Sequence, residues 1–271
     1  MKNKQISVRT VARAGAIMTP AKTALLLAVL FAVGVPLLQC IAAEKPQIRQ
    51  TTRTFGVRLG ATRVIYNPDS VGQTLSVDNP QDYPMLVQSR AYSEDMKNRA
   101  PFVITPPLFR LDGLQQSSLR IVRVGGDFPK DRETLQWLCV KGIPPKAGDL
   151  WAQDKSGKPV AGEIGLNLQL SIDSCIKLFV RPGSIHGHPD DVASSLAWSR
   201  QGDHLKAVND SPFYMNLASL KVGGVTIPEP HYVSPFSSYT FPLPKGADGK
   251  VSWSIVNDYG GRSKVYQADL K

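Results

Sequence analysis

The chain has 271 residues, 42% of them hydrophobic, with 22 glycines and 21 prolines. That is too apolar for a disordered chain and too poor in glycine for collagen, and prolines spread along the length exclude an all-helical bundle. The formal charge of +10 invites nucleic-acid binding, yet Lys2, Lys4, Arg9, Arg13 and Lys22 all precede the first acid, Glu44; without them 27 bases face 22 acids and no long basic run remains, so no nucleic-acid partner is expected.

In chain order, residues 1–22 are basic and polar, Ala24 to Leu38 is apolar, and Gln39-Cys-Ile-Ala-Ala43 offers small residues at which a signal peptidase can cut. This pattern predicts a secretory signal peptide over residues 1–43. A permanent anchor needs about 18 or more apolar residues, whereas this run is shorter and interrupted by Gly34 and Pro36, so no stable membrane anchor is expected. Cys40 raises a lipoprotein alternative, against which stands the bulky polar Gln39 before it. Cys139 and Cys175 are then the two cysteines of an exported chain, for which a single disulfide is the expectation and a pair of buried free thiols the alternative.

From Thr52 onward, short runs rich in β-branched and aromatic residues recur between turn formers: Arg63–Tyr66, Gln73–Val77, Met85–Arg90, Phe102–Ile104 and Ser118–Arg123. Asn67-Pro-Asp, Asp78-Asn-Pro, Thr105-Pro-Pro and Val124-Gly-Gly-Asp separate them, each a turn by its backbone chemistry. The spacing predicts an antiparallel sandwich, and no alternation of strands with helices appears. The series ends at Arg181-Pro-Gly183; after a polar stretch a second begins at Ser195–Trp198 and continues through His204–Val208, Phe213–Leu217, Ser238–Phe241, Val251–Val256 and Lys264–Gln267. The chain is therefore expected to be all-β, with one sandwich domain over 44–182 and a second over 183–271.

Catalytic constellations are missing: there is no Gly-x-Ser-x-Gly elbow, phosphate loop or Gly-x-Gly-x-x-Gly, which disfavours an enzyme and gives no reason to expect a cofactor. His186-Gly-His188 supplies at most two ligands from one side of an extended segment, with no nearby third, so no metal is expected. The segment with the clearest pattern is Ile164–Ile172. Ile164, Leu166, Leu168, Leu170 and Ile172 share one face and Gly165, Asn167, Gln169 and Ser171 the other, which predicts a strand. By itself, such a face reads as core.

Its surroundings point elsewhere. Upstream lies Phe128-Pro-Lys-Asp-Arg-Glu-Thr-Leu-Gln-Trp-Leu-Cys-Val-Lys-Gly-Ile-Pro-Pro145, and downstream Cys-Ile-Lys-Leu-Phe-Val-Arg-Pro182. This stretch resembles the periplasmic chaperones of the chaperone–usher pathway, the PapD-like family, whose motif sets a proline, acid, base and glutamate before a strand with an aromatic and a closing Ile-Pro-Pro. Gly60–Tyr66, Thr105-Pro-Pro-Leu-Phe-Arg-Leu111, Asn209-Asp-Ser-Pro-Phe-Tyr-Met215 and Ile255-Val-Asn-Asp-Tyr-Gly-Gly261 are similar to further family motifs. The long connection before Ile164 and the cysteine pair resemble the long-loop subfamily, which serves thin fibres or capsule-like surface antigens.

The resemblance implies two immunoglobulin-like sandwiches in a boomerang, and a strand, Ile164–Ile172, lent to a fibre subunit that lacks its own last strand. Burying five aliphatic side chains at about 1.5–3 kcal/mol each gives roughly 8–15 kcal/mol before ordering and association costs are subtracted. By the same resemblance, Arg63 and Lys177 hold the subunit's terminal carboxylate; Glu133, Arg181 and Asp258 form an interdomain ion network; and a Cys139–Cys175 bridge clamps the hairpin that presents the strand. Lys177 is odd-numbered while the apolar face is even, so either a bulge near Asp173-Ser174 re-aims it or it approaches from the opposite face. The implied partners are a fimbrial or capsule-like fibre subunit and an outer-membrane usher, in the periplasm, with self-association through Ile164–Ile172 when the chain is free. The alternative function is a secreted two-domain adhesin or binding module of the same fold.

Overall fold

The computed structural model describes residues 51–146, 148–152 and 167–271. They belong to one compact unit that holds two β-sandwiches, each with its own apolar core. The first sandwich contains β1 (Thr51–Phe55), β2 (Arg58–Leu59), β3 (Arg63–Tyr66), β4 (Gln73–Asp78), β5 (Met85–Ser93), β6 (Phe102–Thr105), β7 (Leu108–Leu111), β8 (Gln116–Arg123), β9 (Thr134–Ile143), β10 (Asn167–Ser171) and β11 (Asp173–Val180). One sheet has the order β3-β11-β9-β5-β7, the facing sheet β2-β4-β8-β6, and β1 pairs with β10 as a parallel ribbon. Alternation along these strands sends Leu75, Val77, Leu119 and Ile121 from one sheet against Val87, Leu138, Val140 and Leu178 from the other.

The second sandwich contains β12 (Ala197–Gln201), β13 (His204–Asn209), β14 (Met215–Val222), β15 (Val225–Thr226), β16 (Tyr232–Val233), β17 (Ser237–Pro242), β18 (Val251–Ile255) and β19 (Tyr266–Ala268). Its sheets are β12-β13-β17 and β15-β14-β18-β19, with β16 also paired to β14. Trp198 and Trp253 meet in its centre, ring centroids 5.2 Å apart, and Trp253 Nε1 donates to the Ala193 carbonyl.

The two sandwiches share a device at the same place in their strand order. Buried Asn79, just after β4, donates through Nδ2 to the carbonyls of Tyr83, Leu111 and Asp112, and its Oδ1 accepts from the Gln81 amide. Asn209, at the end of β13, repeats the pattern on Phe213, Val233 and Ser234, with Ser211 as donor. Each side chain satisfies several backbone groups where the chain turns a buried corner, which is why the Asp78-Asn-Pro and Asn209-Asp-Ser-Pro runs are so alike.

Some elements differ from expectation. Ser195 lies in a short 3-10 turn, its hydroxyl bonded back to the Val192 carbonyl at 2.8 Å, so the second series starts at Ala197. The last strand begins at Tyr266 because Lys264 and Val265 remain exposed, outside the ladder. The two-residue strands β2, β15 and β16 are too short to carry a period.

Candidate functional site

Register explains how the site forms. β11 runs parallel to β3, which puts Lys177 directly beside Arg63, and antiparallel to β9, which puts Lys177 beside Trp137 and Cys175 beside Cys139. Ile176, Leu178 and Val180 pack into the first core. Cys175, Lys177 and Phe179 therefore emerge on the other face of the sheet, together with Arg63, Leu135, Trp137 and Cys139. Lys177 is odd-numbered because it approaches from the face opposite Ile176 and Leu178. Ile172 interrupts the strand between β10 and β11 and is 41% exposed.

That outer face meets the second sandwich across a small apolar cluster of its own, Leu135, Phe179 and Tyr214, flanked by Ile65, Trp137 and Tyr232. Two cations are held at this junction. Arg63 Nη1 donates to the Val256 carbonyl at 2.9 Å and its guanidinium lies 5.9 Å from the Phe179 ring centroid, while its buried Nε has no partner among the described residues. Burial pushes the Arg63 guanidinium below its ordinary value, opposed by Asp258 and Glu133. Lys177 Nζ donates to Asn216 Oδ1 and lies 4.5 Å from the Tyr232 ring centroid. Burial, then the Arg63 charge, push its ammonium down to about 8, with Glu94 opposing. Among the described residues, neither cation has a carboxylate within salt-bridge distance. Such a pair is suited to binding an anion that the described residues do not supply.

A third cation is fully answered. Arg181 Nε donates to Glu133 Oε1 at 2.7 Å, and its two terminal nitrogens reach Asp258 at 2.8 and 2.7 Å. Glu133 also accepts from the Tyr214 amide, and Asp258 meets His188 Nδ1 at 2.9 Å. Burial raises the Glu133 carboxyl above its ordinary value, with Arg181 pulling it back. At Asp258 burial pushes upward too, but the hydrogen bonds from Arg181 and His188 outweigh it and leave the group low. Gly260, on the same loop as Asp258, has φ +82° and abuts Thr62, the neighbour of Arg63.

Cys139 and Cys175 are joined by a disulfide that closes a separation of 36 residues between β9 and β11, a constraint worth about 3–4 kcal/mol in the chain-entropy model. Of the alternating segment, Ile164 and Leu166 lie outside the described residues. Leu168 and Leu170 fall in β10, whose partner β1 aligns Thr52 with Leu168 and Thr54 with Leu170. Sequence reasoning did not foresee that partner, nor the second-domain residues around Lys177; Thr51-Thr-Arg-Thr-Phe55 carried the β-rich composition that signals a strand, and Asn216 follows the Phe213-Tyr-Met215 motif directly.

Comparison with known proteins matches both sandwiches. The profile of the family described as "Pili and flagellar-assembly chaperone, PapD N-terminal domain" matches residues 56–186, and that of "Pili assembly chaperone PapD, C-terminal domain" matches 191–267. Chaperone protein AfaB of Escherichia coli is 62% identical over 194 residues, 72% of this chain and 78% of that protein. Chaperone protein caf1M of Yersinia pestis is 47% identical over 235 residues, 84% of this chain and 91% of that protein. Among solved structures, the E. coli chaperone DraB superposes with a TM-score of 0.71 at 56% identity, over 82% of this chain and 100% of that one. A Salmonella enterica structure of SafA pilin with the SafB chaperone gives a TM-score of 0.73 at 48% identity over the same shares. With both sandwiches matched and relatives this similar over most of its length, the chain belongs to the PapD-like family of pilus-assembly chaperones, built from two immunoglobulin-like domains.

Proposed function

We propose that the protein is a periplasmic chaperone that captures, folds and caps fimbrial or other surface-fibre subunits by donor-strand complementation and hands them to an outer-membrane usher. In this reading residues 1–43 direct export and are removed, Ile164–Ile172 fill the groove of a subunit that lacks a strand, and Arg63 with Lys177 receive its terminal carboxylate. The free chain shields its donor strand by self-association. Aliphatic burial supplies most of the affinity, and the two cations set where the guest strand starts. Glu133, Arg181 and Asp258 fix the orientation of the second domain.

The observation that carries the reading is the pair of adjacent, desolvated cations left without a carboxylate among the described residues, Lys177 on the strand that follows the alternating segment and Arg63 beside it on β3. A named relative, SafB, was solved together with a pilin. The test is co-expression with a small β-rich subunit from a neighbouring reading frame. The subunit is expected to stay soluble with the wild-type chain and to be lost with Leu168→Glu. Equal solubility with wild type, with Leu168→Glu and with neither overturns the proposal.

A further inference from the structure

The ammonium of Lys177 is held mainly by the second domain. Asn216 Oδ1 accepts from Nζ at 2.5 Å, and Asn216 Nδ2 is engaged with the Tyr214 carbonyl at 3.2 Å, which fixes the end of the amide that meets the lysine. Asn216 and Tyr232 are register partners on β14 and β16, so the amide and the aromatic face that flank the ammonium lie side by side. Tyr232 is steadied by its hydroxyl, which donates to Glu94 Oε1 at 2.9 Å. Trp137 completes the surroundings, its ring centroid 5.9 Å from Nζ and its indole nitrogen donating to the Glu94 carbonyl. An amide oxygen and π faces solvate a cation without neutralising it. The charge stays free for an anion, while the position is fixed.

We infer that Asn216 and Tyr232 are positioning residues for capture: they hold the Lys177 ammonium beside Arg63, so that the carboxylate receptor is assembled by both domains rather than by the first alone. This inference rests on the reading of Arg63 and Lys177 as the anchor for a subunit's terminal carboxylate. Arg63 is positioned in the same way, by the Val256 carbonyl, and the Val256 amide donates to the Asn216 carbonyl at 2.7 Å, so two hydrogen-bonded neighbours, one on β14 and one just after β18, serve the two cations. The charged and titratable groups facing Lys177 are Arg63 from β3, Glu94 after β5, Tyr214 just before β14 and Tyr232 from β16. Burial, reinforced by Glu94, drives both phenols upward, so they remain neutral where the lysine titrates near 8. An arriving carboxylate favours the protonated lysine and raises its midpoint.

The test follows Lys177 itself, by NMR of the full chain carrying lysine labelled with carbon-13 at Cε, titrated with sodium acetate against sodium chloride at equal ionic strength. In the wild type the Lys177 signal is expected to shift saturably with acetate, and its pH midpoint to rise. Asn216→Asp places a competing carboxylate on the ammonium: the midpoint rises without acetate, and acetate affinity falls about tenfold, the low end of the scale of one hydrogen bond to a charged group. Tyr232→Leu removes the aromatic face at a half-exposed position and is expected to weaken acetate binding by a similar factor; it answers the question should Asn216→Asp fail to fold. Wild-type acetate affinity in either folded variant overturns the positioning role. A wild type with no saturable acetate response overturns the anchor reading itself, and this inference with it.

Discussion

Arg181 and Lys177 sit four residues apart on the same stretch of chain and face the same second domain, yet their charges are answered differently. Arg181 has two carboxylates and leaves no terminal nitrogen unused. Lys177 has an amide oxygen and aromatic faces, and its neighbour Arg63 a backbone carbonyl. Both settings desolvate a cation, but among the described residues only one supplies a carboxylate in direct contact, so the first cluster stabilises a geometry while the second leaves charge without a direct partner at the expense of stability. A closed network balances its own charge; an open one leaves charge that an outside anion can answer.

The comparison can be broken most forcefully at the closed end. Glu133→Ala strands Arg181 Nε and the Tyr214 amide in a buried setting, and is expected to lower unfolding free energy by about 3–5 kcal/mol, read by urea titration. A loss under 1 kcal/mol would put the two clusters on the same footing.

At the open end the sign reverses. Lys177→Met removes a desolvated ammonium and keeps the aliphatic stem, so the variant is expected to be more stable at pH 7 by on the order of 1–3 kcal/mol while losing carboxylate capture. The pH dependence has a definite direction. Between about 8, the folded value, and 10.5, the ordinary one, the unfolded wild type binds more protons than the folded form, so wild-type stability rises across that window and the variant's advantage disappears. A variant that melts below wild type at pH 7 contradicts this.

The smallest effect sharpens the contact between the clusters. Gly260→Ala adds a methyl group against Thr62 at a left-handed backbone position, with an expected loss of about 1–2 kcal/mol, partly recovered by Thr62→Ala. Absence of recovery in the double variant would assign the whole effect to the backbone.

Much of this was legible in the residues. β3, β4, β5, β6, β8, β13, β17 and β18 coincide closely with runs read from β-branched and aromatic composition, and all of these but β17 and β18 bury one alternating face. Arg63, Lys177, Glu133, Arg181 and Asp258 came through family motifs rather than through any period, and the structure brings them together as two separate groups. What escaped was the contribution of long-range pairing. Asn216 lies 39 residues from Lys177, and Glu94 138 residues from Tyr232. Nothing local in an asparagine within a strand distinguishes one that solvates a lysine from one that faces water. The face presented by Lys177 likewise depended on which face of β11 packs into the first core and on which side of it the second domain docks.

The disulfide also acts as a ruler. It lies two residues before Lys177 and ties Cys175 to Cys139 in register, in the sheet that carries Arg63. A slip of one residue would turn Lys177 into the sandwich and bring Ile176 or Leu178 to the mouth. The covalent link adds to the ladder and the core in forbidding that error once the thiols are oxidised. Made where thiols stay reduced, the protein would keep every residue around the two cations but rely on the ladder and the core alone to hold their alignment.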